Sequence, residues 1–210
     1  MAKRRYSSEL REQQAAATRA RVVQAAAELF AVRGYAATSL PQIAREAGVS
    51  TETVQSHGPK LRLLQAAIDQ LSFGGEPGQA LIDTPVGARF LQASSPEEAA
   101  DISSRVLVQV NSATHGLWLA FSEAARTDKT LAQEFTALAV QIRAENLIIL
   151  QLWRERGWLR DDVPDAVLAQ WSDVIASVEV YDRMVRVEGS TVEEYRELIA
   201  GMLLELLVRR

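Results

Sequence analysis

The 210-residue chain contains no cysteine. That excludes a disulfide framework, a thiolate zinc site, an iron–sulfur ligand set and a cysteine nucleophile. Histidine is nearly absent too: His57 and His115 are too few for a multi-histidine metal centre, so neither metal nor cofactor is expected. No run approaches 18 apolar residues, the length a membrane-spanning helix needs. The N-terminus is polar and basic and lacks the apolar core of a signal segment. The expectation is a soluble, cytoplasmic protein with no membrane partner. Also missing are a Gly-rich phosphate loop, an HExxH pair and a Gly-x-Ser-x-Gly elbow. An enzyme is therefore not expected.

What is present suits a folded protein. Apolar residues make up 48% and charged residues 24%, enough to bury a core without covalent staples. The net charge of −4 hides an asymmetry. Residues 1–75 carry ten Lys/Arg against six Asp/Glu, a net of +4, while residues 76–210 carry thirteen against twenty-one, a net of −8. A basic front joined to an acidic back points to a nucleic-acid-facing segment attached to something else.

Glycine and proline divide the sequence into helices, and no segment alternates apolar and polar residues as a strand would. An all-α fold is expected. In 19–33, Val22, Val23, Ala26, Ala27, Leu29 and Phe30 recur at three- and four-residue spacings, with Gly34 as a stop. Thr38 and Ser39 are N-cap candidates for a helix to about Ala47, and Ser50 caps a short helix that Gly58-Pro59 ends. A fourth helix carries Leu61, Leu64, Ala67, Ile68 and Leu71. Residues 74–96 are the least regular, and Gly74 to Gly78 is the expected boundary between a domain of 1–75 and one of 76–210. Long helices then span roughly 97–126, 128–156, 164–187 and 191–208.

The stretch Leu40-Pro41-Gln42-Ile43-Ala44-Arg45-Glu46-Ala47-Gly48-Val49-Ser50 fits a helix-turn-helix. Ala44 lets two helices approach, Gly48 permits a positive φ in the turn, and Val49 plugs the angle between them. Such a pair sets its second helix in a DNA major groove. An ordinary αα-hairpin in a bundle would share part of this pattern.

Residues 19–68 resemble the N-terminal domain of TetR-type (tetracycline-repressor-like) transcriptional regulators. The likeness rests on Arg21-Val22-Val23-Gln24-Ala25-Ala26-Ala27-Glu28-Leu29-Phe30, Gly34-Tyr35, Thr38-Ser39, Ile43-Ala44, and Ala47-Gly48-Val49-Ser50 with Thr53. Arg156-Gly157-Trp158-Leu159-Arg160 and Glu179-Val180-Tyr181 are similar to segments of many members. There is one departure. Where most members continue x-Tyr-x-His-Phe-x-x-Lys after Thr53, this chain reads Val54-Gln55-Ser56-His57-Gly58-Pro59-Lys60. Tyrosine and phenylalanine are replaced, and the lysine arrives one residue early.

The resemblance implies an operator of double-stranded DNA, a homodimer and a small-molecule effector. Thr38 and Ser39 suit a phosphate oxygen as well as a cap. Gln42 and Arg45 face the backbone or groove edge. Ser50 and Thr53 open the recognition helix, whose Thr51, Glu52, Gln55 and Ser56 are the expected base readers. His57 and Lys60 resemble the family's phosphate-contacting pair, and Lys3, Arg4 and Arg5 form a basic arm.

In the back module, 164–187 carries a heptad-like seam (Val167, Trp171, Val174, Val178, Tyr181, Val185), and 191–208 is broadly apolar. Both therefore need partners on more than one side. Asn111, His115, Trp118 and Ser122 fall at i, i+4, i+7 and i+11, with Gln141 and Glu145 four apart on the next helix. Polar groups among apolar ones suit an orienting ligand pocket, although a tryptophan such as Trp118 is more often plain core, and His115 a partner of Glu145 or of a backbone carbonyl. The expected function is a homodimeric repressor released from a palindromic operator by a ligand. The alternative is a helical dimeric interaction protein with altered or lost DNA binding.

Overall fold

A computed structural model describes the backbone of residues 2–72 and 81–209, and the side chains of 13–72 and 82–209. The side chains of the Lys3-Arg4-Arg5 arm and the Gly74–Gly78 boundary lie outside the described residues. The elements are α1 (Ala2–Ala37), α2 (Leu40–Ala47), α3 (Thr51–Ser56), α4 (Lys60–Ser72), α5 (Pro85–Gln92), α6 (Pro96–Ala125), α7 (Lys129–Glu155), α8 (Asp165–Ala176), α9 (Val178–Tyr181) and α10 (Val192–Leu207). A single 3-10 turn, Leu81–Asp83, precedes α5, and a π-helical stretch, Asp182–Val187, follows α9. Among the described residues the fold is all-α. Extended pairing is limited to one bridge between Leu159 and Val208.

The chain forms two compact units: Met1–Asp69 with Gly116–Leu131, and Gln70–His115 with Ala132–Arg210. In the first, the apolar stripe of α1 (Val22, Val23, Ala26, Phe30) is buried with Ile43, Ala44 and Ala47 of α2 and Val54 of α3. Leu63, Leu64, Ala67 and Ile68 of α4 join the same core. The end of α6 adds Leu117, Ala120 and Phe121. Gly116 makes a close approach possible there, because a Cβ at that position would stand 2.9 Å from the Cβ of Ala31. Each buried Leu, Ile or Phe contributes about 1.5–3 kcal/mol relative to exposure.

The second unit is centred on Leu150, Trp153, Leu159, Leu168, Ile175, Tyr181, Tyr195, Ile199, Leu203 and Leu207. Two sequence expectations change here. The irregular 74–96 stretch contains α5, started by Thr84, whose hydroxyl accepts from the Gly87 N–H at 3.1 Å, with Pro85 in its first turn. Threonine before proline is a helix start, not a break. Arg156 then holds the end of α5, donating to the carbonyls of Phe90, Leu91 and Ala93.

The expected single helix over 164–187 is also broken, at Ser177, which is extended (φ −67°, ψ 144°). The Ala176 carbonyl accepts from Asn111 Nδ2 at 3.3 Å, and the Val180 N–H turns to the Ser177 carbonyl. A buried side chain from a distant helix thus takes an acceptor that a continuous helix would have used. The heptad-like seam is interrupted with it, and Val174 is 60% exposed.

By length and composition α7 could cross a membrane (mean hydropathy 1.2), and only 6% of that stretch is buried. It is pinned within its unit by Arg143 and Asn146, both donating to Asp173, and by buried Leu150 and Trp153.

Candidate nucleic-acid interface

The entry to the helix-turn-helix is set by Gly34, whose φ of 78° and ψ of 167° suit only glycine. The chain kinks within α1 there, and Thr38 secures the corner. Its side chain is buried, and its hydroxyl donates to the Gly34 carbonyl at 2.8 Å and the Leu29 carbonyl at 3.2 Å. Thr38 is therefore spent on the fold and has no hydroxyl proton to offer a phosphate, which corrects half of the expectation for the Thr38–Ser39 pair. Ser39 is exposed. Its N–H and hydroxyl both reach Gln42 Oε1, at 2.7 and 2.9 Å. Gln42 thus acts as the cap partner of α2, with its amide nitrogen left over.

The turn between α2 and α3 is made by Gly48 (φ 64°), with the Val49 N–H returning to the Ala44 carbonyl at 3.0 Å. This left-handed ending is the αL stop that the sequence suggests. Ser50 then caps α3 by accepting from the Thr53 N–H at 3.0 Å, and the two hydroxyls lie 2.9 Å apart. Ser56 is exposed and donates to the Thr53 carbonyl at 2.7 Å.

Val54 turns the opposite face of α3 into the core. What is left outside is specific: Glu52, Gln55 and Ser56 are exposed, and Thr51 and Thr53 are half-buried. Glu52 and Gln55 have no side-chain partner among the described residues. Exposed Arg45 on α2 is likewise unpaired there. Such groups are free to meet base edges and phosphates.

His57 and Lys60 do not behave as a matched pair. Half-buried His57 ends α3, and its Nε2 is a buried polar atom with no hydrogen-bond partner among the described residues. Lys60 is turned inward. Its Nζ donates to the carbonyls of Tyr35 (2.8 Å) and Thr38 (2.9 Å) and lies 4.1 Å from the centroid of the Tyr35 ring. Burial pushes its ammonium below the usual lysine range. Burial, with the charge of Asp128 adding to it, raises the Tyr35 phenol. Arg62, two residues on, is exposed. Sequence reasoning did not single it out. The two residues after a motif lysine that arrives early were the available signal.

The predicted ligand residues are dispersed. Asn111 and His115 belong to the second unit, Trp118 and Ser122 to the first. Asn111 is buried and donates to Tyr195 Oη at 2.9 Å as well as to the Ala176 carbonyl. Burial pushes the Tyr195 phenol up to about 12. The His115 ring lies 5.5 Å from Tyr181, which meets Tyr195 edge-on at 5.2 Å. Ser122 donates to the Leu119 carbonyl of its own helix. Gln141 is exposed and Glu145 half-buried. Ile142 lies along the same stripe of α7 as half-buried Leu138, Glu145 and Ile149, yet stays 39% exposed. A separate groove of about 270 Å³ is lined by Leu147, Leu150, Gln151, Arg154, Leu159, Asp165 and Leu168. None of the six predicted ligand residues lines it.

Residues 22–57 match the family described as bacterial regulatory proteins, tetR family. No curated protein matches the chain. Solved structures share the fold over nearly the whole length. NalD of Pseudomonas aeruginosa, the secondary repressor of the MexAB-OprM multidrug efflux pump, is 18% identical with a TM-score of 0.69, covering 94% of this chain and 98% of its own. A candidate transcriptional regulator from Saccharomonospora viridis, in complex with choline, is 17% identical with a TM-score of 0.70, covering 93% and 100%. SmeT in complex with triclosan is 20% identical with a TM-score of 0.68, covering 92% of each chain. The match to that family thus covers residues 22–57, which include the helix-turn-helix described above, and the chain as a whole shares the fold of these solved structures.

Proposed function

We propose that the protein is a homodimeric repressor that binds a palindromic operator through α3 and releases it when a small molecule occupies the second unit. The observation that carries the reading is the outer face of α3. Glu52, Gln55 and Ser56 stand exposed on a helix whose Ser50 cap and buried Val54 fix its orientation. Gln55 offers a donor and an acceptor for an adenine edge, and Glu52 accepts from cytosine N4. Arg45 and the left-over amide nitrogen of Gln42 supply backbone contacts. Exposed Val174, Val187, Val192 and Leu198 are apolar side chains that a second copy would cover through α8–α10. A two-fold axis would present two α3 helices about one DNA turn apart, roughly 35 Å.

The effector reading rests on α7. Its stripe of Leu138, Ile142, Glu145 and Ile149 is incompletely closed by protein, as the exposure of Ile142 records. His115 and Glu145 are assigned as polar contacts, with Asn111 acting as scaffold through Tyr195. SmeT with triclosan and the Saccharomonospora regulator with choline are small-molecule complexes on the same fold, which supports an effector here. An effector acts only through its differential affinity for the two DNA-spacing states. The protein would act in the cytoplasm, where its DNA lies.

Footprinting of the purified protein on the DNA upstream of its own coding sequence tests this reading. Two protected half-sites about 10 base pairs apart, or a multiple of that, are expected. Uniform, unprotected cleavage at micromolar protein would contradict it.

A further inference from the structure

The cations around the α3–α4 turn divide into one that faces inward and one that faces outward. Lys60 Nζ is held by two backbone carbonyls and a ring, all from the α1–α2 corner. Tyr35 stacks on Phe30 at 5.5 Å, and Phe30 is wholly buried. Thr38 is tied to the Leu29 and Gly34 carbonyls. The ammonium therefore joins the start of α4 to a corner that is itself anchored in the core. Carbonyls at the end of a helix carry the negative pole of its dipole, which favours a cation there. Arg62 projects from the first turn of α4 without a partner among the described residues. Its Cβ lies 3.2 Å from where a Cβ of Gly58 would stand, beside the turn that ends α3.

We infer that Lys60 is a positioning residue that fixes the angle of the recognition helix, and that Arg62 is the phosphate-contacting cation of this turn. The inference rests on the DNA-binding reading above and reassigns one role within it. Lys60 is the first residue of α4, where its side chain meets the α1–α2 corner. Lys60 reaches no phosphate while both carbonyls hold it, and Arg62 is free to do so.

The test compares Lys60→Met with Arg62→Gln in the full-length protein. Each is titrated against a duplex of its own upstream region and against a random duplex of equal length, over a range of salt. Lys60→Met keeps the aliphatic stem and removes the charge. It should lower affinity for the upstream duplex by roughly tenfold or more and leave random-duplex affinity and the salt slope unchanged, because a tilted α3 loses base reading alone. Arg62→Gln should weaken both duplexes alike and reduce the slope of log K on log salt by about 0.9 for each phosphate lost. Lys60→Met should also lower the thermal midpoint by roughly 2–6 °C, with Arg62→Gln leaving it unchanged. Binding is read well below both midpoints, so instability alone cannot mimic a change in sequence preference. A reduced slope for Lys60→Met with an unchanged slope for Arg62→Gln overturns this inference and leaves the DNA-binding reading intact. Salt-insensitive wild type overturns both.

Discussion

The two units hold themselves together differently, and the contrast runs parallel to the opposite signs of their charge. The eight ion pairs seen among the described residues all lie in the second unit, from Arg105–Asp101 and Arg143–Asp173 to Arg196 with Asp101 and Glu193. In the first unit Arg19, Arg21, Arg33, Arg45 and Arg62 are exposed and have no carboxylate partner among those residues. That unit is secured by apolar packing, by hydroxyl and glutamine caps, and by the inward Lys60. Exposed ion pairs add little stability, about 0–1 kcal/mol each. Leaving arginines unpaired therefore costs the first unit little and keeps its positive charge available to phosphate. The acidic second unit neutralises its arginines internally.

The contrast can be broken most forcefully in the core of the first unit. Phe30→Ala removes a wholly buried ring stacked on Tyr35 and should cost about 3–5 kcal/mol. Chemical denaturation should then show the first unit melting ahead of the rest. A single unchanged transition would show that the two units do not differ in this way.

Gly116→Ala comes next. The new methyl would meet the Ala31 Cβ at 2.9 Å, an overpacking worth about 1–3 kcal/mol. Ala31→Gly in the same chain should restore most of the loss. Failure of that rescue would place the strain elsewhere.

Local chemistry wrote some of this into the sequence. Gly34 and Gly48 announce positive φ, and Ser50 with Thr53 announces a cap, because each depends only on residues within one turn. The turn, α3 and its outward face were legible for that reason. Features that depend on distant partners were not. Lys60 turns inward because of carbonyls 25 and 22 residues away, and Ser177 breaks α8 because Asn111, 65 residues from Ala176, claims a carbonyl. α5 was obscured differently: Pro85 and Gly87 read as breakers where Thr84 makes them a helix start. Along the predicted ligand stripe, Asn111 is engaged by Tyr195 and the Ala176 carbonyl, 84 and 65 residues away, which spacing on one helix does not reveal.

Smaller effects sharpen the comparison from the second unit. Thr191 caps α10, accepting from the Glu194 N–H at 3.2 Å while Glu194 accepts its hydroxyl and N–H. Thr191→Ala should cost about 1 kcal/mol, read as a lower midpoint with DNA affinity unchanged.

Acid should act on the same unit. The Arg105 hydrogen bond, aided by the charge of Arg196, holds the Asp101 carboxyl below the usual range. Backbone and hydroxyl donors of Ser94 and Thr191 do the same for Glu98 and Glu194. Their folded pKa values lie below the unfolded ones, so their contribution is present at neutral pH. It is lost as pH falls from about 4.5 through the lowered values. Unfolding between about pH 5 and pH 3 should begin in the second unit, and Asp101→Asn should flatten that dependence. An acid transition that begins in the first unit would contradict the assignment of these carboxylates.

The central claim is that the first unit's unpaired arginines are held for phosphate while those of the second are not. Its most direct test is the salt dependence of upstream-DNA binding by Arg45→Gln beside Arg105→Gln. Arg45→Gln should reduce the slope by about 0.9 per protomer, roughly two for a dimer, and Arg105→Gln should match wild type. Equal slopes in the two variants, or a reduced slope for Arg105→Gln alone, would contradict it.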